Sequence, residues 1–163
     1  MFSVEDLIRP HIKEIMPYSS ARDEYSGTDG IFLDANENSF GSVVNKPFNR
    51  YPDPYQKEVK KLLSSAINIP ENNIFIGNGS DEVIDLVIRL FCSPSNDFII
   101  TTPPTYGMYE VSAKINDVRV NMVALTDDFQ LKVEDILIHS DSRSKILFIC
   151  SPNNPSGNIL NKE

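Results

Sequence analysis

The sequence predicts an α/β protein built on a mostly parallel sheet. From about residue 70 onward, short apolar stretches alternate with helical patterns, which is typical of strands joined by crossover helices. Two of the apolar stretches, Ile74–Ile76 and Ile146–Cys150, lack polar alternation, as expected of strands that are covered on both faces. The 163 residues are enough for one domain with a substantial hydrophobic core.

The first third of the chain predicts fewer regular elements. Residues 1–30 carry scattered apolar positions interrupted by prolines and glycines, which predicts a short helix followed by an irregular arm. A brief strand is expected at Ile31–Leu33. A helix is expected from Tyr55 to about Ile67, with apolar residues at helical spacing and the preceding Pro54 able to open it.

The remaining elements follow in regular alternation. A helix is predicted over Ser80–Phe91, with acidic residues in its first turn and an Asp85–Arg89 pair one turn apart. Further strands are expected at 97–102, 118–125 and 145–150, and further helices at 104–115 and 133–140.

Composition and charge exclude several classes of function. Fifteen basic residues against 23 acidic ones give a net charge of −8, which disfavours binding to nucleic acid or to anionic membranes. No apolar run approaches the ~18 residues of a membrane span. Glu5 and Asp6 interrupt the pattern of a signal peptide, so a cytosolic protein is expected.

The cysteines and histidines give no sign of a metal site. Cys92 and Cys150 lie far apart in apolar stretches and are expected to be buried, reduced thiols. Neither His11 nor His139 stands at ligand spacing from a cysteine, so no zinc site is predicted.

Three segments could bind a ligand at the carboxyl ends of the predicted strands. The first, Gly77–Glu82, follows a strand and opens a helix, so its backbone N–H groups could bind an anion. It is not a dinucleotide fingerprint, because Glu82 occupies the place of the third glycine, and the Gly-Lys-Ser/Thr ending of a Walker A loop is absent. The alternative is a plain tight turn capped by Ser80.

The other two segments also follow strands. In Pro103–Tyr109, Tyr106 could lie flat against an aromatic ligand, although such a tyrosine is more often packed in the core. Ser151–Gly157 combines two prolines and a glycine with Asn153 and Asn154, whose amides donate and accept hydrogen bonds.

Taken in order, these segments resemble the fold-type-I pyridoxal-phosphate-dependent aminotransferases. The stretches Pro17–Arg22, Leu33–Asn38 and Arg50–Pro54 resemble signatures of the histidinol-phosphate aminotransferase family. The resemblance runs from Leu7 to Gly157. It implies an N-terminal helix and arm over 1–30 and, over 31–163, the first part of the large pyridoxal-phosphate-binding domain.

The resemblance also implies roles for individual residues. The backbone around Ser80 and Asp81 would bind the phosphate of pyridoxal 5'-phosphate, with the Asp81 and Glu82 carboxylates pointing away. Tyr106 would stack on the pyridine ring, and Asn154 would hydrogen-bond its phenolic oxygen. Tyr51 would reach the cofactor phosphate of a neighbouring subunit, which implies a homodimer.

The substrates follow from the same resemblance. Tyr18 and Asn36 would border the substrate pocket. The reaction would move an amino group between histidinol phosphate and 2-oxoglutarate, with glutamate on the other side of the exchange. A related threonine-phosphate decarboxylase, or a non-catalytic binding module derived from the fold, are the alternatives.

The Schiff-base lysine of the family is expected after the asparagines, and no such residue is identified in these 163 residues. Ser142–Lys145 has the expected Ser-x-Ser-Lys order but precedes a buried strand, so Lys145 would lie at the wrong end of the sheet. Lys162 is no better placed. We therefore expect no catalytic residue within the chain and no turnover by the 163 residues alone.

Overall fold

The computed structural model describes residues 3–20, 30–33 and 35–161. The chain divides into two units. Unit 1 comprises Met1–Ile15 and Gly77–Glu163, and unit 2 comprises Met16–Ile76.

Unit 1 is built around a parallel sheet of three strands, β1 (Phe98–Thr101), β2 (Arg119–Met122) and β3 (Ser144–Phe148). The order across the sheet is β2-β1-β3, so the first strand is central, and all four of its residues are buried. Both pairings are parallel, which confirms the α/β prediction.

Helices cover both faces of this sheet. Helices α3 (Ser80–Phe91) and α4 (Met108–Ile115) pack on one face, and α5 (Val133–Ile138) packs on the other. Alternate residues of β1 supply the two cores, since Ile99 belongs to the first and Ile100 to the second. The expectation that Ile146–Cys150 is covered on both faces is wrong for the described residues, because β3 lies at the edge of this sheet and Leu147 is 39% exposed.

Helix α3 has the bounds that the sequence predicts, and the Asp85–Arg89 ion pair is present at 2.7 Å. One detail of the prediction is wrong. Ser80 is the first helical residue, and Gly79 occupies the N-cap position without a side-chain cap. Gly79 has a φ of 81°, which glycine adopts without strain, so the turn depends on Gly79 and not on the Ser80 hydroxyl.

Helix α4 begins later than predicted, at Met108 instead of Pro104. The carbonyls of the preceding prolines have other partners, since Pro103 O accepts from Leu125 N at 2.8 Å and Pro104 O accepts from Asn153 Nδ2. In an α-helix, the carbonyl of each residue accepts a hydrogen bond from the N–H of the residue four positions further along the chain. The first such bond of α4 runs from Val111 N to Gly107 O.

The N-terminal segment of unit 1 forms a 3-10 turn at Val4–Leu7 and a single helical turn, α1 (Pro10–Lys13). Residues 15–20, of which 16–20 belong to unit 2, have neither helix nor strand, and 21–29 lie outside the described residues, so the N-terminal arm stays a prediction. Arg9 joins the segment to α3, because its backbone N–H donates to Leu90 O and its guanidinium donates to Arg89 O.

Unit 2 contains one long helix, α2 (Lys57–Ile67), and a 3-10 turn at Glu71–Asn73. The helix begins two residues later than the predicted Tyr55. Asp53 accounts for the shift, because its carboxylate accepts from Tyr55 N at 2.9 Å and from Lys57 N at 3.0 Å. This side chain therefore satisfies the amide of the first helical residue.

Two predicted strands are wrong. Ile31–Leu33 and Ile74–Ile76 form no strand pairs with any described segment. Ile74 does have extended backbone, with φ −112° and ψ 121°. An apolar triplet favours such a conformation, but a strand also requires a hydrogen-bonding neighbour, which three residues cannot specify.

Two further observations concern the described residues. None of their helices is long and apolar enough to cross a bilayer. Cys92 and Cys150 are free thiols, and Cys92 is buried, but Cys150 is partly exposed because it lies where β3 has already ended.

Candidate functional site

Two loops of unit 1 emerge from the same edge of the sheet. The proline loop (102–107) follows β1, and the asparagine loop (149–158) follows β3. Because β1 and β3 are parallel neighbours, their carboxyl ends lie side by side. Open α/β sheets bind ligands at this edge.

The N-terminus of α3 offers backbone donors at this site. The N–H groups of Ser80 and Asp81 belong to the first turn and have no acceptor in the described part of the chain. The Glu82 carboxylate accepts from Asn78 N, so it engages the turn itself. Free amides together with the helix dipole favour an anion at this position.

Tyr106 lies next to this helix terminus. Its hydroxyl donates to Asp81 Oδ1 at 2.9 Å, and this bond to a carboxylate raises the pKa of Tyr106 above its ordinary value. The Asp81 carboxylate is therefore directed to the Tyr106 hydroxyl in the proline loop, and its pointing away from a bound phosphate stays a prediction.

The Tyr106 ring is only partly packed. It meets Tyr109 edge-on, with ring centroids 5.7 Å apart, and Tyr109 stacks on Phe148 at 4.5 Å. Burial, and then a hydrogen bond with Cys150, raise the pKa of Tyr109 to about 12. Tyr109 thus serves as a neutral support for a neighbouring ring that stays partly exposed.

The two asparagines of the asparagine loop have different environments. Asn154 is exposed and has no hydrogen bond to any described residue, so its amide is available to a ligand. Asn153 is 4% exposed, and its Nδ2 donates to Pro104 O at 2.8 Å and to Ser156 Oγ at 2.7 Å. The first of these bonds connects the asparagine loop to the proline loop.

One polar atom in the proline loop lacks a partner. Thr105 Oγ1 is buried and makes no hydrogen bond within the described residues. A buried hydroxyl without a partner is destabilising by about 1–3 kcal/mol. Its place beside Tyr106 gives the loop a polar group that a ligand could satisfy.

Lys145 lies at the opposite end of the sheet. It is the residue that the register skips, since Phe98 pairs with Ser144 and Ile99 with Ile146. Its Nζ donates to Ser142 O at 2.7 Å, at the amino end of β3. Lys145 therefore does not reach the loops at the carboxyl end of the sheet, in agreement with the sequence-based expectation.

Unit 2 contains a separate polar cavity of about 340 Å³, whose lining includes Asn36 and Tyr51. The Glu37 carboxylate, with its side chain only 4% exposed, accepts from Arg50 at 2.6 Å and from Tyr51 N at 2.8 Å. Tyr18 is 89% exposed and does not line this cavity. The structure thus brings together two of the three candidate residues of unit 2.

Two residues that organise these sites were missed at the sequence level. In the sequence, Asn153 is only one of two adjacent asparagines, and Glu37 is only one residue of the Leu33–Asn38 stretch. Each acts on a partner distant in sequence, 49 residues away for Pro104 and 14 for Tyr51. A single sequence carries no signal for such pairings.

Comparison with known families identifies the fold. The family model described as aminotransferase class I and II matches residues 29–163. The chain belongs to this family. The family assignment agrees with the parallel sheet and with the position of the loops at its carboxyl edge.

Individual relatives match nearly the whole of this chain but less than half of their own length. A histidinol-phosphate aminotransferase of Cytophaga hutchinsonii is 57% identical over 99% of this chain and 47% of its own length. One of Parabacteroides distasonis is 49% identical over 99% of this chain and 46% of its own length. The chain therefore spans about half the length of the curated relatives that it matches.

A solved structure extends the similarity to three dimensions. The histidinol-phosphate aminotransferase of Clostridium acetobutylicum is 30% identical, with a TM-score of 0.60 over 69% of this chain and 32% of its own. That of Sinorhizobium meliloti, solved in complex with pyridoxal-5'-phosphate, has a TM-score of 0.61 over 74% of this chain and 35% of its own. At 21% identity, its likeness bears on the fold alone.

Proposed function

We propose that the protein containing this chain moves an amino group between histidinol phosphate and 2-oxoglutarate, using pyridoxal 5'-phosphate. The family assignment supports the reaction class, and relatives named for this activity at 49–57% identity support the substrate. The observation that carries the proposal is the hydrogen bond from Tyr106 to Asp81, which places an aromatic ring beside a helix N-terminus.

The residues present fit the chemistry of this cofactor. Its phosphate requires an anion site, which the free amides of Ser80 and Asp81 provide. Its ring requires an aromatic surface and polar contacts, which match the partly exposed Tyr106, the available amide of Asn154 and the unpartnered hydroxyl of Thr105.

The chain's own groups would bind and orient. When bound, pyridoxal phosphate supplies an electron sink for the reaction. Ser80 and Asp81 would bind the phosphate through their amides, Tyr106 would stack on the ring, and Asn154 would hydrogen-bond the phenolic oxygen. The Asp81 carboxylate would orient Tyr106 through the hydroxyl bond.

The residues of unit 2 would complete the enzyme as a homodimer. Tyr51 would contact the cofactor phosphate of a second subunit, and Asn36 and Tyr18 would border the substrate. The shared cavity of Asn36 and Tyr51 supports a common role for those two. We further propose a cytoplasmic enzyme, with 1–30 as an N-terminal arm and 31–163 as the first part of the cofactor domain.

The test begins with the complete reading frame that contains the codon of Glu163. Its product is purified and assayed for amino transfer from glutamate to the oxo form of histidinol phosphate. Turnover that requires pyridoxal phosphate and falls at least tenfold in a Tyr106→Ala variant is expected. A matched Tyr55→Ala variant changes an exposed tyrosine on another segment and controls for the loss of a ring.

Two outcomes would replace the proposal. Decarboxylation of threonine phosphate without amino transfer would assign the protein to the decarboxylase branch. A stable protein that binds no pyridoxal phosphate would favour a non-catalytic binding module.

A further inference from the structure

Asn153 is buried, unlike its immediate neighbours in the asparagine loop. It is 4% exposed, whereas Pro152 and Asn154 on either side are exposed. A buried polar side chain remains in place only if its hydrogen-bonding groups are satisfied. The contacts of Asn153 therefore indicate its role.

Both donors of the Asn153 amide are used, one within the loop and one outside it. Nδ2 donates to Ser156 Oγ at 2.7 Å and to Pro104 O at 2.8 Å. Because a proline carbonyl only accepts hydrogen bonds, the amide must present its nitrogen to Pro104. The orientation of the side chain is fixed by this requirement.

The backbone of Asn153 closes the loop around the side chain. Its N–H donates to Asn158 O at 2.9 Å, and its carbonyl accepts from Gly157 N at 2.7 Å. Ser156 continues the network by donating from its hydroxyl to Asn158 Oδ1. The loop that presents Asn154 is thus organised by the residue immediately before it.

The bond to Pro104 connects the organised asparagine loop to the proline loop, which carries Tyr106. Pro104 lies two residues before Tyr106, and Tyr106 is in turn hydrogen-bonded to Asp81 at the start of α3. A continuous path of hydrogen bonds, part-buried at Pro104 and exposed at Tyr106, therefore joins the asparagine loop, the proline loop and the helix N-terminus. Within the described residues, no other side-chain hydrogen bond links the two loops.

We propose that Asn153 is a positioning residue that sets the separation between Tyr106 and Asn154, the groups assigned to the face and to the phenolic oxygen of the cofactor ring. This inference rests on the proposed function. Asn153 itself touches no ligand and acts through the Pro104 carbonyl. Binding groups set in advance lose less free energy on binding, so the effect appears in cofactor affinity.

The test uses the complete protein and the Asn153→Asp variant. Aspartate has the same shape but presents an oxygen to the Pro104 carbonyl. The hydrogen bond from residue 153 to Pro104 O, called the tether below, is therefore lost. The dissociation constant of pyridoxal phosphate, measured by equilibrium dialysis, is expected to rise about tenfold, the effect of one lost buried hydrogen bond. KM for the amino donor at saturating cofactor is expected to change less than twofold.

Two control variants separate the tether from general packing. Ser156→Ala removes the bond inside the asparagine loop but leaves the bond to Pro104, so cofactor affinity is expected to change by less than threefold. Asn45→Asp makes the same chemical change at an exposed asparagine with no hydrogen bond to a described residue. Equal losses of affinity in Ser156→Ala and Asn153→Asp would overturn the proposal.

A second readout needs no cofactor. If the tether positions the proline loop, Asn153→Asp weakens the Tyr106–Asp81 bond, and the Tyr106 phenol titrates at a lower pH than in the parent protein. The Tyr106→Phe difference spectrum identifies its contribution. If Asn153→Asp does not fold, Asn153→Ser, which is too short to reach Pro104, replaces it under the same criteria.

The two readouts distinguish failure of this inference from failure of the proposed function. A parent protein that binds no pyridoxal phosphate refutes the function, and the phenol titration still decides the tether. Unchanged affinity and unchanged titration in a folded Asn153 variant refute the positioning role alone.

Discussion

The two units of the chain differ most in what they bury. Every described hydrophobic residue that is buried lies in unit 1, from Ile84 to Ile136. No described residue of unit 2 is buried as a whole, although the side chain of Glu37 is. Helix α2 has no buried residue although its apolar side chains repeat at helical spacing, with Leu62 73% exposed and Ile67 52% exposed.

The difference shows that apolar residues at helical spacing can be buried, as in unit 1, or exposed, as on α2 of unit 2. In unit 1, apolar residues are packed between sheet and helices, which stabilises the fold through area removed from water. In unit 2, order comes from polar contacts such as the Glu37–Arg50 pair and the Asp53 cap. We therefore expect substitutions in unit 1 to act mainly through lost apolar burial, and substitutions in unit 2 mainly through lost polar contacts.

The largest expected effect is that of Ile88→Ala. Ile88 is fully buried on α3 within the first core, and alanine is compatible with the helix. Loss of the side chain and the cavity left behind should reduce the free energy of unfolding by about 3 kcal/mol. Equilibrium urea denaturation of the complete protein measures this change.

The matched control is Leu62→Ala on α2. Because this side chain is 73% exposed, its removal should change the free energy of unfolding by less than about 0.5 kcal/mol. A loss comparable with that of Ile88→Ala would mean that α2 is packed in solution, and the contrast between the units would fail.

The sequence predicted unit 1 better than unit 2 for the same reason. The bounds of α3 follow from its apolar period and the preceding glycines, and both are local signals. The strand predicted at Ile74–Ile76 has the right composition but lacks a described partner, and no local pattern supplies one. Patterns succeed where packing is dictated by the segment itself.

The candidate site shows the same limit. The positions of Tyr106 and Asn154 after strands could be predicted, because strand ends at one edge follow from the parallel topology. The contacts of Asp81 with Tyr106, and of Asn153 with Pro104, could not be. They depend on backbone positions 25 and 49 residues apart.

The second prediction concerns the rim of unit 1. Arg9 donates to Arg89 O at 2.8 Å and so satisfies a terminal carbonyl of α3, where a positive charge also favours the helix dipole. Arg9→Ala should reduce the free energy of unfolding by about 1 kcal/mol. Arg143→Ala, which breaks an exposed pair with Asp141, should change it by less than about 0.5 kcal/mol. Equal effects in urea denaturation would remove the capping role.

The third prediction tests the polar order of unit 2. Glu37→Gln keeps the shape of the side chain but removes the charge that accepts from Arg50 and Tyr51 N. Since Arg50 is half exposed, we expect the free energy of local unfolding to fall by only about 1 kcal/mol. This corresponds to about fivefold faster proteolysis between residues 35 and 51. Glu58→Gln, at an exposed position on α2, should leave the cleavage rate unchanged. No acceleration in Glu37→Gln would show that the pair does not order the segment.

The smallest expected effect belongs to the Tyr106–Asp81 contact, which lies at the surface of the well-packed unit. The carboxylate raises the pKa of Tyr106, so the neutral phenol is favoured in the folded protein. Its contribution is therefore present below the ordinary tyrosine pKa of about 10 and is lost as the pH rises through the raised value. Asp81→Asn removes the charge but retains an acceptor oxygen, so the phenol should titrate at a lower pH, measured as a difference from Tyr106→Phe. An unshifted titration would mean that the carboxylate does not engage Tyr106 in solution, and that the ring is oriented by Tyr109 alone.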